Sequence, residues 1–237
     1  MKIALLGYGK MGHEIEKVAL QRGHTVVATI DNDEEWSQKA AQLAEADVAI
    51  EFSTPSTVLE NIGRCFDRKL PVVVGTTGWY DRLDATVERC QTQDGSLFVA
   101  SNFSIGVNIL FELNRRLASL MNRYEDYSAS VTETHHIHKL DAPSGTAITI
   151  ANAMVENLDR VSSWALAEEA GEGVLPITAI REGEVPGIHE IVYDSEVDTL
   201  SLRHSAKSRR GFAVGAVLAA EYLEGHKGYH TMKDLLA

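Results

Sequence analysis

Five short apolar runs, "KIALLG", "TVVATID", "DVAIEFS", "PVVVGTT" and "LFVAS", recur through the first hundred residues, each bounded by turn residues and separated by stretches of helical spacing. This alternation constrains the fold more than any other feature. Runs this short and this continuously apolar suit strands buried on both faces, which occur in parallel sheets covered by crossover helices. Between them, Met11, Ile15, Val18 and Ala19 form one face of a first helix that Gly23 is placed to end. "TPSTVLENIGRCF" offers Thr54 and Pro55 as N-cap and first-turn residue, with Val58, Ile62, Cys65 and Phe66 facing inward. "WYDRLDATVERC" repeats the pattern through Leu83, Val87 and Cys90. The expected fold is α/β, a Rossmann-like doubly wound parallel sheet.

After about residue 105 the pattern changes. A helical stretch through Leu110, Leu113, Leu117 and Leu120 leads into "YSASVTETHH", which alternates like a strand. A helix over about 145–158 and a polar, Gly-containing segment follow. Then come the β-rich runs "ITAIREG", "GIHEIVYDSE" and "DTLSLRHSA", and "GFAVGAVLAAEYLEG" closes the chain as an apolar helix. Strands in series predict a second, α+β domain with a mixed or antiparallel sheet. The segment 159–176 shows no motif.

Charge narrows the partners. With 22 basic against 34 acidic residues the net charge is −12, which opposes nucleic acid and anionic membrane as partners. A small anion needs only a local cluster of positive groups. No apolar run approaches the ~18 residues of a membrane span, and the first apolar run is too short for a signal peptide. Cys65 and Cys90 lack C-x-x-C spacing and read as reduced thiols, so a cytoplasmic protein is expected.

"GYGKMG" sets Gly7, Gly9 and Gly12 at G-x-G-x-x-G spacing where a strand gives way to a helix, and Asp31 ends the second strand. In that context the motif predicts a dinucleotide site. Gly7 permits the tight turn, Gly9 the approach of backbone N–H groups to a pyrophosphate, and Gly12 close helix–strand packing. The helix N-terminus favours the phosphate charge. Asp31 would accept hydrogen bonds from ribose hydroxyls and repel a 2′-phosphate, and Asn32 adds no positive charge, although Lys10 could supply some. NADH should therefore serve at least as well as NADPH. "GTTG" (75–78) and "SNFS" (101–104) end the fourth and fifth strands, the edge where such sheets bind ligands.

"THHIHKLDAPSGT", residues 134–146, admits three readings: a metal site, a solvated strand end, or a place where protons are moved onto a bound anion. A continuing strand would point His135 one way and His136 and His138 the other. No cysteine or H-E-x-x-H spacing completes a metal set, so no metal is expected. Ser144 stands as a candidate helix cap and substrate-binding residue, with Gly145 and Thr146 in the first turn. Free N–H groups there and the Thr146 hydroxyl suit a carboxylate. Lys139 adds a full positive charge and the imidazoles titrate near neutral pH.

These residues resemble the substrate-site signature of the dihydrodipicolinate (4-hydroxy-tetrahydrodipicolinate) reductase family of bacterial diaminopimelate and lysine synthesis, whose signature opens with an acidic residue as Glu133 does here. "GYGKMG", "GTTG", "SNFSIGVN", "REGEVPGIHE" and "HSAKSRRGFAVGAV" resemble family segments in the same order, over essentially the whole chain. The resemblance implies His135 and Lys139 as the general acid–base pair, and His136, Gly145 and Thr146 as ligands of a dicarboxylate heterocycle. It implies that Gly7, Tyr8, Gly9, Lys10, Met11, Gly12, Asp31, Gly75, Thr76, Thr77, Ser101, Asn102, Phe103 and Ser104 bind NADH or NADPH. It further implies a dinucleotide-binding domain over 1–105 completed by 211–237, a substrate-binding and oligomerisation domain over 106–210, and a homotetramer. Three features depart from the common pattern: a glycine loop one residue shorter, Asn32 where many members carry a basic residue, and Ser101 in place of alanine. Two rival readings are another two-domain nicotinamide oxidoreductase, such as an amino-acid dehydrogenase, and a non-catalytic dinucleotide sensor. Neither accounts for the His–Lys–Ser-Gly-Thr segment.

Overall fold

The computed structural model describes residues 1–237 and divides the chain into two compact units, Met1–Ile105 with Arg209–Ala237, and Gly106–Ser208. The chain runs through β1 (Lys2–Leu6), α1 (Lys10–Gln21), β2 (Thr25–Ile30), α2 (Asp33–Gln38), α3 (Ala40–Leu43), β3 (Val48–Glu51), α4 (Val58–Asp67), β4 (Val72–Val74), α5 (Leu83–Thr92) and β5 (Ser96–Val99). The second unit then holds α6 (Ile105–Met121), β6 (Ser128–His135), α7 (Gly145–Val155), β7 (Ser163–Leu166), β8 (Val174–Arg181), β9 (Ile188–Asp194) and β10 (Thr199–Ser205). On returning to the first unit the chain forms α8 (Arg210–Leu223), β11 (Gly228–His230) and α9 (Met232–Leu236).

In the first unit six strands form one sheet in the order β11-β5-β4-β3-β1-β2, with every neighbouring pair parallel. Alternate side chains feed two cores. Ile3 and Leu5 pack with Ile15 and Val18 of α1 and with Ala216, Val217 and Ala220 of α8. Ala4 and Leu6 pack on the other face with Ile62 and Phe66 of α4 and Cys90 of α5. Burial on both faces explains the unbroken apolar runs. Each fully buried Ile or Leu contributes about 1.5–3 kcal/mol. β1 lies between β2 and β3, so successive connections leave it in opposite directions, and this switch point sets where a ligand can enter.

One helix start differs from the sequence reading. α4 begins at Val58 with Thr57 as its cap, not at Thr54–Pro55. The Thr54 hydroxyl bonds those of Ser56 and Thr57, and its carbonyl accepts from the N–H groups of both Thr57 and Val58, which closes a turn before the helix.

The second unit has a mixed five-stranded sheet in the order β10-β9-β6-β8-β7. β9 runs antiparallel to both β10 and β6, whereas β6, β8 and β7 are mutually parallel. β7, in the segment that carried no motif, forms one edge. Val131, Ile177 and Ile191 of the sheet pack with Leu110 and Met121 of α6 and with Ile150, Ala151 and Met154 of α7. The face of α6 is rotated from a pure leucine stripe. It buries Val107, Leu110, Asn114, Ala118 and Met121 and leaves Leu113 and Leu120 exposed. No helix is long and apolar enough to cross a membrane.

Candidate active site

In the first unit the glycine turn is built by close backbone approach. Gly7 has φ +89°, and a Cβ there would lie 2.2 Å from the carbonyl oxygen of Phe52, just beyond β3. A Cβ on Gly12 would lie 2.6 Å from the Gly7 carbonyl oxygen. Gly9, the N-cap of α1, has nothing within 4 Å of where its Cβ would stand, and α1 carries no side-chain cap and no acidic residue in its first turn. That leaves an open helix N-terminus, which fits a pyrophosphate. Lys10 is exposed, while Met11 packs against the core. The Tyr8 N–H donates to Asp31 Oδ1 at 3.0 Å, and its hydroxyl donates to Glu16. Asn32 caps α2, whose first turn is acidic through Asp33, Glu34 and Glu35.

The turns after β3, β4 and β5 complete this edge. Gly75 leaves room for the Phe52 ring, which would otherwise meet its Cβ at 2.1 Å. Thr76 is buried; its hydroxyl accepts from the Ser53 N–H at 2.8 Å, and its carbonyl accepts from the Trp79 indole at 2.7 Å. Thr77 and Ser101 are exposed. Asn102 Oδ1 accepts from the Ser104 N–H at 2.9 Å. The Phe103 side chain lies in the core beside Phe52 and Phe98, so only its backbone is left to contact a ligand. Sequence reasoning missed Glu51, the last residue of β3. Its fully buried carboxyl accepts from the Ser53 N–H at 3.2 Å and the Asn61 amide at 3.3 Å, and burial pushes its pKa up.

The second unit gathers its titratable groups at one end of a single sheet face. Period-two alternation along β6 puts Val131, Glu133 and His135 on the same buried side. Register then sets His189 of β9 opposite Glu133, and Arg181 of β8 opposite His135. The face that is apolar at Val131 and Ile191 thus ends in a polar cage. Glu133 Oε1 accepts from the Ser144 N–H and from Arg181, each at 3.0 Å. Its Oε2 lies 3.0 Å from His135 Nδ1 and 3.9 Å from His189 Nε2. Burial alone would push the Glu133 carboxyl up. The His135 ring beside it and the hydrogen bonds from Ser144 and Arg181 outweigh that and hold it down at about 2. His189 is pushed down to about 4, chiefly by burial and then by the neighbouring His135, so it is neutral at pH 7. Its ring meets His135 edge-on at 5.1 Å.

Ser144 caps α7, accepting from the Ala147 N–H at 3.3 Å; its hydroxyl also lies 3.3 Å from His189 Nε2. Gly145 has open space around it, and the first turn carries no acidic residue. Lys139 Nζ lies 2.8 Å from both oxygens of Asp141, and this ammonium holds the Asp141 carboxyl below the usual carboxylate range. β6 stops at His135, so the strand alternation does not extend to the later histidines. His136 is half-buried, and exposed His138 faces Glu184 at 3.1 Å. Glu133, His135 and His189 offer potential metal ligands within 4.8 Å of one another, but the guanidinium 3.0 Å from the same carboxylate already supplies positive charge. Arg181 and His189 were missed in the sequence. Both lie in "REGEVPGIHE", and only the strand register reveals that they face Glu133.

The family model described as "Dihydrodipicolinate reductase, N-terminus" matches residues 1–103, and "Dihydrodipicolinate reductase, C-terminus" matches 106–236. The chain belongs to the dihydrodipicolinate reductase family. A 4-hydroxy-tetrahydrodipicolinate reductase of Christiangramia forsetii is 48% identical over 237 residues, covering 100% of this chain and 98% of that protein. One from Neisseria meningitidis serogroup C is 34% identical over 203 residues, 83% of this chain and 74% of that protein. Among solved structures, a dipicolinate-bound dihydrodipicolinate reductase from Paenisporosarcina sp. TG-14 has the same fold, with TM-score 0.78 at 24% identity over 98% of this chain and 97% of that one. The chain is an oxidoreductase of this family, with a Rossmann-like nucleotide fold suited to NAD(P)H.

Proposed function

We propose that this chain reduces 4-hydroxy-tetrahydrodipicolinate to tetrahydrodipicolinate, consuming NAD(P)H and a proton and releasing water and NAD(P)+. The observation that carries this reading is the buried Glu133 cage beside the open start of α7 and next to Lys139. Together they form a cradle for a carboxylate with proton-carrying groups at its rim. The N–H groups of Gly145 and Thr146, the Thr146 hydroxyl and His136 bind the dicarboxylate, and Ser144 fixes the helix start that presents them. Lys139 offsets the substrate's negative charge and acts with His135 as the acid–base pair. Glu133 beside Nδ1 favours a proton there, which leaves Nε2, next to Gly187, as the working nitrogen of His135.

The first unit binds the dinucleotide through residues 7–12, Asp31, 75–77 and 101–104, and the reduced nicotinamide, when bound, supplies a hydride. NADH serves at least as well as NADPH. Asp31 and the acidic first turn of α2 repel a 2′-phosphate, and two cations beside that turn are already engaged, Lys39 by Glu35 and Arg64 by Asp33 and Glu60, which leaves Lys10 of the glycine loop as the one to offset the repulsion. The second unit also serves assembly into a homotetramer. Its edge strand β10 exposes Leu200 and has a strand neighbour, β9, on one side only. The two buried, unpaired thiols suit the reducing cytoplasm. A coupled assay with freshly generated 4-hydroxy-tetrahydrodipicolinate tests the reading. Loss of reduced-nicotinamide absorbance should depend on that substrate.

A further inference from the structure

Arg181 ends β8, in register with His135. Its guanidinium reaches three backbone or side-chain groups that matter to the reaction. One Nη donates to Glu133 Oε1 at 3.0 Å and to the Asp141 carbonyl at 2.5 Å, and Nε donates to the Lys139 carbonyl at 3.3 Å. The other Nη closes on the Ile180 carbonyl at 2.8 Å. The carboxylate belongs to the strand that carries His135, and the two outer carbonyls belong to the turn that carries Lys139. One planar fork thus joins the supports of both acid–base groups, in a geometry that a lysine's single ammonium cannot reproduce.

We propose that Arg181 is a positioning residue for the reduction, setting the pose of Lys139 through the 139–141 turn and the proton position on His135 through Glu133. The inference rests on the assignment of His135 and Lys139 above. The groups facing Glu133 are His135 on its own strand, His189 on β9, Ser144 at the start of α7, and Arg181 on β8. Lys139 and Asp141 lie in the adjoining turn. Arg181 is the only one of the four facing groups that is charged at every working pH. Without it the Glu133 carboxyl moves up and the turn loses two hydrogen bonds, while the dinucleotide unit is untouched.

The test compares wild type, Arg181→Lys, Arg181→Ala and Lys139→Ala by kcat, KM for the dicarboxylate, NADH affinity from nucleotide fluorescence, and the pH dependence of kcat. A displacement near 1 Å costs on the order of a hundredfold in rate, so Arg181→Lys should lose roughly tenfold to a hundredfold in kcat. NADH affinity should stay at the wild-type value, and the acidic limb of the profile should move to higher pH. Millimolar guanidinium should restore part of the Arg181→Ala rate. A folded Arg181→Lys with wild-type kcat and pH profile would overturn the proposal, as would a loss confined to KM, which makes Arg181 a substrate ligand instead. Wild-type-like turnover by Lys139→Ala would show that the acid–base assignment itself is wrong, and no turnover by wild type would show that the substrate is.

Discussion

The two proposed anion sites of this chain both lie at helix N-termini, and they are built from different materials. α1 starts at Gly9 with no side-chain cap, and its surroundings are shaped by missing Cβ atoms at Gly7 and Gly12. α7 starts at Ser144, whose N–H is held by a buried carboxylate that is itself held by an arginine. The first cradle is backbone and fits by shape. The second is a side-chain network, able to carry charge and protons as well as bind. A site that only holds a cofactor needs no titratable group. On the proposed assignment, a site that finishes a reduction needs one under control, and here control comes from burial and from the charged and donor groups set around Glu133.

Substitutions that break one cradle and spare the other sharpen this contrast. The largest effect is expected from Lys139→Ala, which should lower kcat by about 10²–10⁴-fold while leaving NADH affinity nearly unchanged. Gly7→Ala should do the reverse. Its Cβ would sit 2.2 Å from a backbone oxygen at a left-handed φ, so the ends of β1 and β3 must part. That costs about 3 kcal/mol or more, read as a lower Tm and at least a tenfold weaker NADH Kd.

The contrast also explains what the sequence could reveal. Strand runs, the glycine turn and the Ser144 cap are local signals, carried by a few adjacent residues, and the structure places them as read. The Glu133 cage is non-local. Arg181 and His189 meet Glu133 only because β8 and β9 flank β6 in one register, and a slip of one residue would turn each away. Glu51 was hidden for the same reason: in "DVAIEFS" it looks like the polar end of a strand, while its partners Asn61 and Ser53 come from a helix and a turn beyond. The start of α4 was misread because the Thr54 side chain bonds its neighbours' hydroxyls rather than a helical N–H.

Smaller effects test the cofactor edge and the cage separately. Replacing Asp31 by Ser together with Asn32 by Arg should move the NADPH-to-NADH ratio of kcat/KM upward by about tenfold, since a 2′-phosphate gains a cation and loses a repelling carboxylate. The smallest expected effect is on stability in acid. His189 is neutral when folded, at about 4 against 6.5 for the ordinary group, so between those values the unfolded chain binds more protons. Its contribution is therefore fully present above pH 6.5 and is lost as pH falls towards 4. Glu133, depressed to about 2, adds a loss of the same sign at still lower pH. Urea midpoints measured from pH 7 to 4 should fall for wild type, and His189→Asn should flatten that slope. An unchanged slope would remove His189 from the acid sensitivity.

The most direct test of the contrast is a single coupled assay on wild type and Lys139→Ala side by side. Freshly generated 4-hydroxy-tetrahydrodipicolinate is supplied with NADH and, separately, NADPH, and NADH binding is measured on the same samples. Substrate-dependent oxidation by wild type, at least as fast with NADH as with NADPH, and slower by about a hundredfold or more in a variant that still binds NADH, is the expected result. A folded wild-type protein that binds NADH and oxidises neither cofactor would contradict it.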